Sequence, residues 1–170
     1  MNIPMKPEKL AWLALSFVAV GAAAGIFTSP DWKESDAPAP PAFSRERLIA
    51  LEMPSYVSLR FGIDPATLAI TPDGIVRYVM VATNASGSVS ALYEGMRCAT
   101  GEVKTYARAS NGATWSVVKE AQWQDWSGAT LASKHARALA RQGACDGATS
   151  ANSVRDIVNA LKDPQQGRSR

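Results

Sequence analysis

From Asp73 to Ala109 the chain passes through three strand-like runs separated by glycine-bearing turns, and this repetition constrains the fold more than any other feature. Thr71-Pro72-Asp73-Gly74 opens the stretch as a turn, with proline preset for the second position and glycine suited to a positive φ. Ile75 to Ala82 follows with Arg77 as its one charged residue, which predicts a central strand covered on both faces. Asn84-Ala85-Ser86-Gly87 turns the chain into Val89 to Glu94, and Thr100-Gly101 turns it into Glu102 to Ala109. Asn111-Gly112 is a short hairpin signal leading to a last strand from Thr114 to Val118. Upstream, the alternation in Tyr56 to Phe61 and the run from Thr67 to Thr71 predict two further strands. Ser44 to Glu52 reads either as a short helix capped by Ser44 or as an extended lead-in.

Beyond the strands the apolar period changes from two to 3.6. Thr130 to Gln142 is rich in alanine and leucine and closes with Gly143, a common residue just past a helix end. Ser153 to Lys162 places Val154, Ile157, Val158 and Leu161 on one face, with Ser153 and Asp156 resembling a capping box and Pro164 ending the helix. The expected fold class is α+β: an antiparallel sheet of about six strands packed by C-terminal helices.

At the other end, Lys6 and Lys9 precede an uncharged run from Leu10 to Phe27, and Ala22-Ala23-Ala24 offers the small residues a signal peptidase accepts. Residues 1–24 are therefore expected to be a secretory signal, cleaved before Gly25. The same 18 uncharged residues reach the lower limit for a bilayer span, so a retained inner-membrane anchor is the alternative. Either outcome exports the rest of the chain to the periplasm, with the membrane touched only through this segment if it is uncleaved. Residues 25–43 carry four prolines from Pro30 to Pro41 and read as an extended spacer, residues 44–162 as the folded domain, and 163–170 as a polar tail. The net charge of +3, with both signs interspersed, lacks the basic field that a nucleic-acid binder needs.

Asp73-Gly74-Ile75-Val76-Arg77-Tyr78, Tyr93-Glu94-Gly95-Met96-Arg97-Cys98-Ala99-Thr100, Lys104-Thr105-Tyr106-Ala107, Trp115 and a second cysteine about 50 residues after the first form a pattern. It resembles the family named after the cryptic neisserial protein, from roughly Phe43 to Leu161. The resemblance implies an exported envelope protein of Gram-negative bacteria and carries over no catalytic residues.

Two cysteines in an exported chain most simply form one disulfide, here Cys98 to Cys145, stapling the first helix to the sheet. Closing a loop of this length is worth about 4 kcal/mol in the chain-entropy model. A Cys98 nucleophile favoured by Arg97 is the alternative reading. One histidine, His135, cannot build a metal site with two oxidised cysteines, and it reads as a surface or boundary residue; no cofactor is implied.

Glu94, Arg97, Arg77 and Lys104 are the candidate site. Either Glu94 pairs with one of the cations across adjacent strands, or Arg77, Arg97 and Lys104 surround a small anionic ligand with Glu94 orienting them. Gly95, inside a strand, suggests a bulge or the close approach of another backbone. Trp115, Trp123, Trp126 and Tyr106 read as an aromatic cluster capping the core. The expected role is a non-catalytic binding or structural module whose partner is an envelope protein or a small anionic ligand. The alternative is a hydrolase or transferase acting on envelope components through Glu94 and the basic residues near it.

Overall fold

The computed structural model describes residues 31–111 and 114–164, so the signal or anchor expected at residues 1–24 lies outside the described residues. Six strands follow one another across an antiparallel sheet: β1 (Ile49–Leu51), β2 (Arg60–Ile63), β4 (Ile75–Thr83), β5 (Val89–Arg97), β6 (Glu102–Ser110) and β7 (Ser116–Val117). Two short pieces, β3 (Ala69–Ile70) and β8 (Gln124–Asp125), pair with β4 and β6. The α+β class and the meander are as the turn spacing predicts.

β4 is the axis because it is apolar on both parities, and every residue from Ile75 to Ala82 is buried. Val76, Tyr78 and Met80 face one core, while Val79 and Val81 face another. The first core is closed by α1 (Leu131–Leu139) and α2 (Val154–Lys162), whose Ala136, Leu139, Ile157 and Leu161 pack on it. Thr130 caps α1 by accepting the Ser133 N–H, and Ser153 caps α2 by accepting that of Asp156. Between the helices, α1 continues in a wider turn over Ala140–Ala144 and passes into a hairpin of β9 (Cys145–Asp146) and β10 (Thr149–Ser150). Gly143 stands there at φ 118°, and a β-carbon on it would meet Ala160 of α2 at 2.5 Å, so this corner needs glycine for both reasons. Cys98 and Cys145 form the expected disulfide, joining the end of β5 to the chain beyond α1.

Three expectations shift. The alternation in Tyr56 to Phe61 begins inside a turn closed by the Val57 N–H donating to the Pro54 carbonyl, so the strand starts only at Arg60 and Tyr56 is exposed. Asp64 accepts the Ala66 N–H and nucleates a 3-10 turn at Pro65–Thr67, which shortens the next strand to Ala69–Ile70. Ser44–Glu52 is both things the sequence allowed: a 3-10 turn at Arg45–Arg47 capped by Ser44, then β1.

The second core consists of Val79, Val81, Val89, Ala91, Tyr93, Tyr106, Ala107 and Ala109. No helix covers it. Ala37, Phe43, Leu48 and Trp115 do, which means that residues 31–43, read from sequence as a spacer, lie along the face opposite the helices as a strap.

Candidate functional site

The sheet divides the four candidate residues. Along β5 the side chains alternate, so Glu94 turns toward the helices while Arg97 turns toward the strap, where Arg77 of β4 and Lys104 of β6 also lie.

On the helix face Glu94 is wholly buried, and its Oε2 lies 2.8 Å from Nε2 of His135, itself only 1% exposed. Thr105 donates to the other carboxylate oxygen at 3.2 Å. The Phe61 ring lies against the imidazole, with centroids 5.2 Å apart. Burial, reinforced by the negative charge of Glu94 beside it, pushes the Tyr78 phenol well above its ordinary range. His135 is thus a core residue, correcting the surface reading: its place mid-helix is the inward stripe of α1, flanked by Ala136 and Leu139. Glu94 makes no ion pair with Arg77, Arg97 or Lys104; its near partners are His135 and Thr105.

On the strap face the cations do not converge on one point. Each holds a different group of the extended segment. The Arg97 guanidinium stacks 3.6 Å from the Trp32 ring centroid, and the Trp32 indole N–H donates to the Asp73 carbonyl at 2.9 Å. Arg77 donates to the main-chain carbonyls of Ser35 at 2.6 Å and Asp36 at 3.1 Å. Lys104 Nζ holds the Glu34 carboxylate at 2.8 Å, joined by the Tyr106 hydroxyl at 2.9 Å and the Trp123 indole N–H at 3.1 Å. Ser35 donates from its N–H and its hydroxyl to Asp73, which also accepts from Thr71.

These contacts set the local charges. Burial works against ionised Asp73, but the hydrogen bonds from Ser35, Thr71 and Ile75 outweigh it and bring the carboxyl down to about 2. Burial likewise opposes the Glu34 charge, and Lys104, Tyr106 and Trp123 together still hold its pKa below the ordinary value. Burial, then Glu34, pushes the Tyr106 phenol upward, so it stays a donor.

Gly95 makes this arrangement possible. The register irregularity between β5 and β6 falls at Tyr93/Glu94, where Tyr106 is the extra residue, rather than at Gly95 itself. A β-carbon on Gly95 would lie 2.9 Å from Tyr106 Cε2 and 3.0 Å from Ile75. The glycine admits a tyrosine ring instead of a backbone, and that ring carries its hydroxyl to Glu34.

The tryptophans do not form one cluster. Trp123 meets Trp32 edge-on, Trp115 meets Phe43, and Trp126 packs at the border of the helix-side core. Trp32, Glu34 and Ser35 were missed from sequence; the available signal was an aromatic and an acid two apart ahead of a proline-rich stretch, which puts both on one side of an extended chain. Among the described residues no group of histidine, cysteine and acidic side chains could hold a metal ion, and no helix is long and apolar enough to cross a membrane.

A family model described as the CNP1-like family matches residues 27–162. The chain belongs to that family. The match confirms the resemblance read from Tyr93 to Thr100, and in this CNP1-like chain it takes in the strap as well as the sheet and both helices. No curated protein and no solved structure matches the chain.

Proposed function

We propose that this CNP1-like protein is an exported, non-catalytic binding module of the cell envelope, and that its working surface is the strap face of β4 to β6. The ligand is an extended, acid-bearing polypeptide segment of an envelope protein. The observation that carries this reading is the grip on Glu34: one carboxylate receives an ammonium, a phenol and an indole N–H drawn from β6 and from Trp123 just before β8. Arg77 adds contacts to main-chain carbonyls, which any peptide has, and Arg97 adds a place for an aromatic ring. A small anion would use such cations at one point, whereas here they are spaced along a chain. The hydrolase or transferase alternative draws less support, because Glu94 is sealed under α1 and lies across the sheet from the basic residues.

The test keeps the full chain and frees the face by Trp32→Ala with Glu34→Ala. A fluorescent peptide of residues 31–41 is then titrated and followed by anisotropy. Saturable binding to the freed variant is expected, weakened at least tenfold by adding Lys104→Met and far weaker with the unaltered chain, whose own strap competes at an effective concentration near the millimolar range. A folded, freed variant that shows no saturable binding would sink the reading.

A further inference from the structure

A face that holds a segment of its own chain can hold the same segment from another. We propose that residues 31–36, carried on an arm of residues 37–42, pass to the strap face of a second copy, which returns its own, so that the protein forms a closed, strap-exchanged dimer. This rests on the reading of that face as a peptide-binding surface and names the partner as a copy of this chain.

Four observations support it. The sequence that fits the face is present in every copy, so each copy carries both a ligand and a receptor. The strap joins no strand ladder: the register pairs of the sheet begin at Ile49, and where its backbone is held, at the Ser35 N–H and the Ser35 and Asp36 carbonyls, the partners are the side chains of Asp73 and Arg77. Its departure therefore opens no backbone pairing in the sheet. Next, residues 37–42 connect it to the domain through Pro38, Pro40 and Pro41, whose fixed φ makes a stiff arm reaching about 3.1 Å per residue. That arm is not flush with the sheet. A groove of about 420 Å³ runs beneath it, lined by Pro38, Pro40, Tyr93, Tyr106, Val117 and Val118, with Val117 72% exposed at its border. Finally, the charges are complementary in either arrangement, Glu34 to Lys104 and the carbonyls of Ser35 and Asp36 to Arg77, and the exchange is isologous, so it closes at two copies without leaving a face open.

The exchange conserves every strap contact, so its position is set by concentration against the tethered strap. The test removes that competition. Lys104→Glu in one population and Glu34→Lys in another each place like charges between a strap and its own face. Each variant alone is expected to stay monomeric in native mass spectrometry, while an equimolar mixture gives a heterodimer in which both crossed pairs are opposite in charge again. Two folded variants, verified by melting, that remain monomers when mixed overturn the exchange. If they also fail to fold, the unaltered full chain decides it: isotopically light and heavy protein mixed at rising concentration must yield mixed dimers, and their absence up to about millimolar protein overturns the proposal. Binding of the free 31–41 peptide to the freed face, with no dimer in either experiment, leaves the binding reading standing and removes the exchange; failure of both removes both.

Discussion

The two faces of the sheet each hold a carboxylate away from open solvent, and they do so in opposite ways. On the helix side Glu94 is matched by His135, with the pair at 0% and 1% exposure and an aromatic ring against the imidazole. On the strap side Glu34 is matched by Lys104, and both remain about one-fifth exposed. The first pair joins β5 to α1, two elements that ladders, packing and a disulfide already fix. The second joins β6 to a segment that no strand ladder or disulfide ties to the sheet. Removing one partner of a sealed pair leaves an uncompensated polar group with no water to receive it, whereas a pair at the border can fall back on solvent. The helix side is therefore where losing a partner costs most, and the strap side is where the proposed change of occupant would cost least.

The sharpest way to break this contrast is Glu94→Ala. It is expected to cost about 3–5 kcal/mol by stranding His135, with Glu94→Gln costing less because the amide can still accept from Thr105 with its oxygen while its NH2 donates to the imidazole. Urea unfolding of the two variants checks this, and an equal, sub-kilocalorie effect of both would contradict the sealed-pair description.

Next in size is Cys145→Ser. Opening the ring between Cys98 and Cys145 is expected to lower stability by about 2–4 kcal/mol while peptide binding at the strap face, measured on the folded fraction, is unchanged. A parallel loss of binding would mean that the two faces are not independent.

The smallest effect sharpens the comparison through pH. Asp73 and Glu34 both have folded pKa values below their unfolded ones, so the stability they lend the strap is complete only above the unfolded values of 3.8 and 4.5 and is lost as pH falls through the folded ones, about 2 for Asp73. Acidification through that window is expected to shift the fluorescence of Trp32 and Trp123 before the far-ultraviolet circular dichroism changes. Simultaneous loss of both signals would show that strap and sheet melt together.

Much of the frame was legible in the sequence because it is governed by local rules. Turn residues fixed the meander, an uninterrupted apolar run marked β4, and the caps Thr130 and Ser153 set both helix starts. The candidate site was legible only in part. Arg77, Arg97 and Lys104 share a face as the spacing allowed, but which face Glu94 takes depends on strand parity relative to a core that is decided by α1. His135 was misplaced for the same reason: a lone histidine in an alanine-rich helix gives no periodic sign of a partner 41 residues earlier. The strap escaped because proline-rich composition speaks for extension, and extension is equally the conformation of a spacer and of a docked peptide.

The disulfide ring spans Cys98 to Cys145 and so encloses β6, β7, β8 and α1, while the strap enters the fold upstream of it. For a molecule held by its N-terminal end, as a retained membrane anchor would hold it, a pull reaches the Trp32 stack first, then the Glu34 grip, then Ser35 and the Arg77 contacts, one after another. Contacts loaded in series yield singly, and the chain gains length with each before any load falls on β1. Under such a pull the strap would act as a mechanical fuse: tension spends itself in peeling a replaceable segment before it reaches the sheet and the covalent ring behind it.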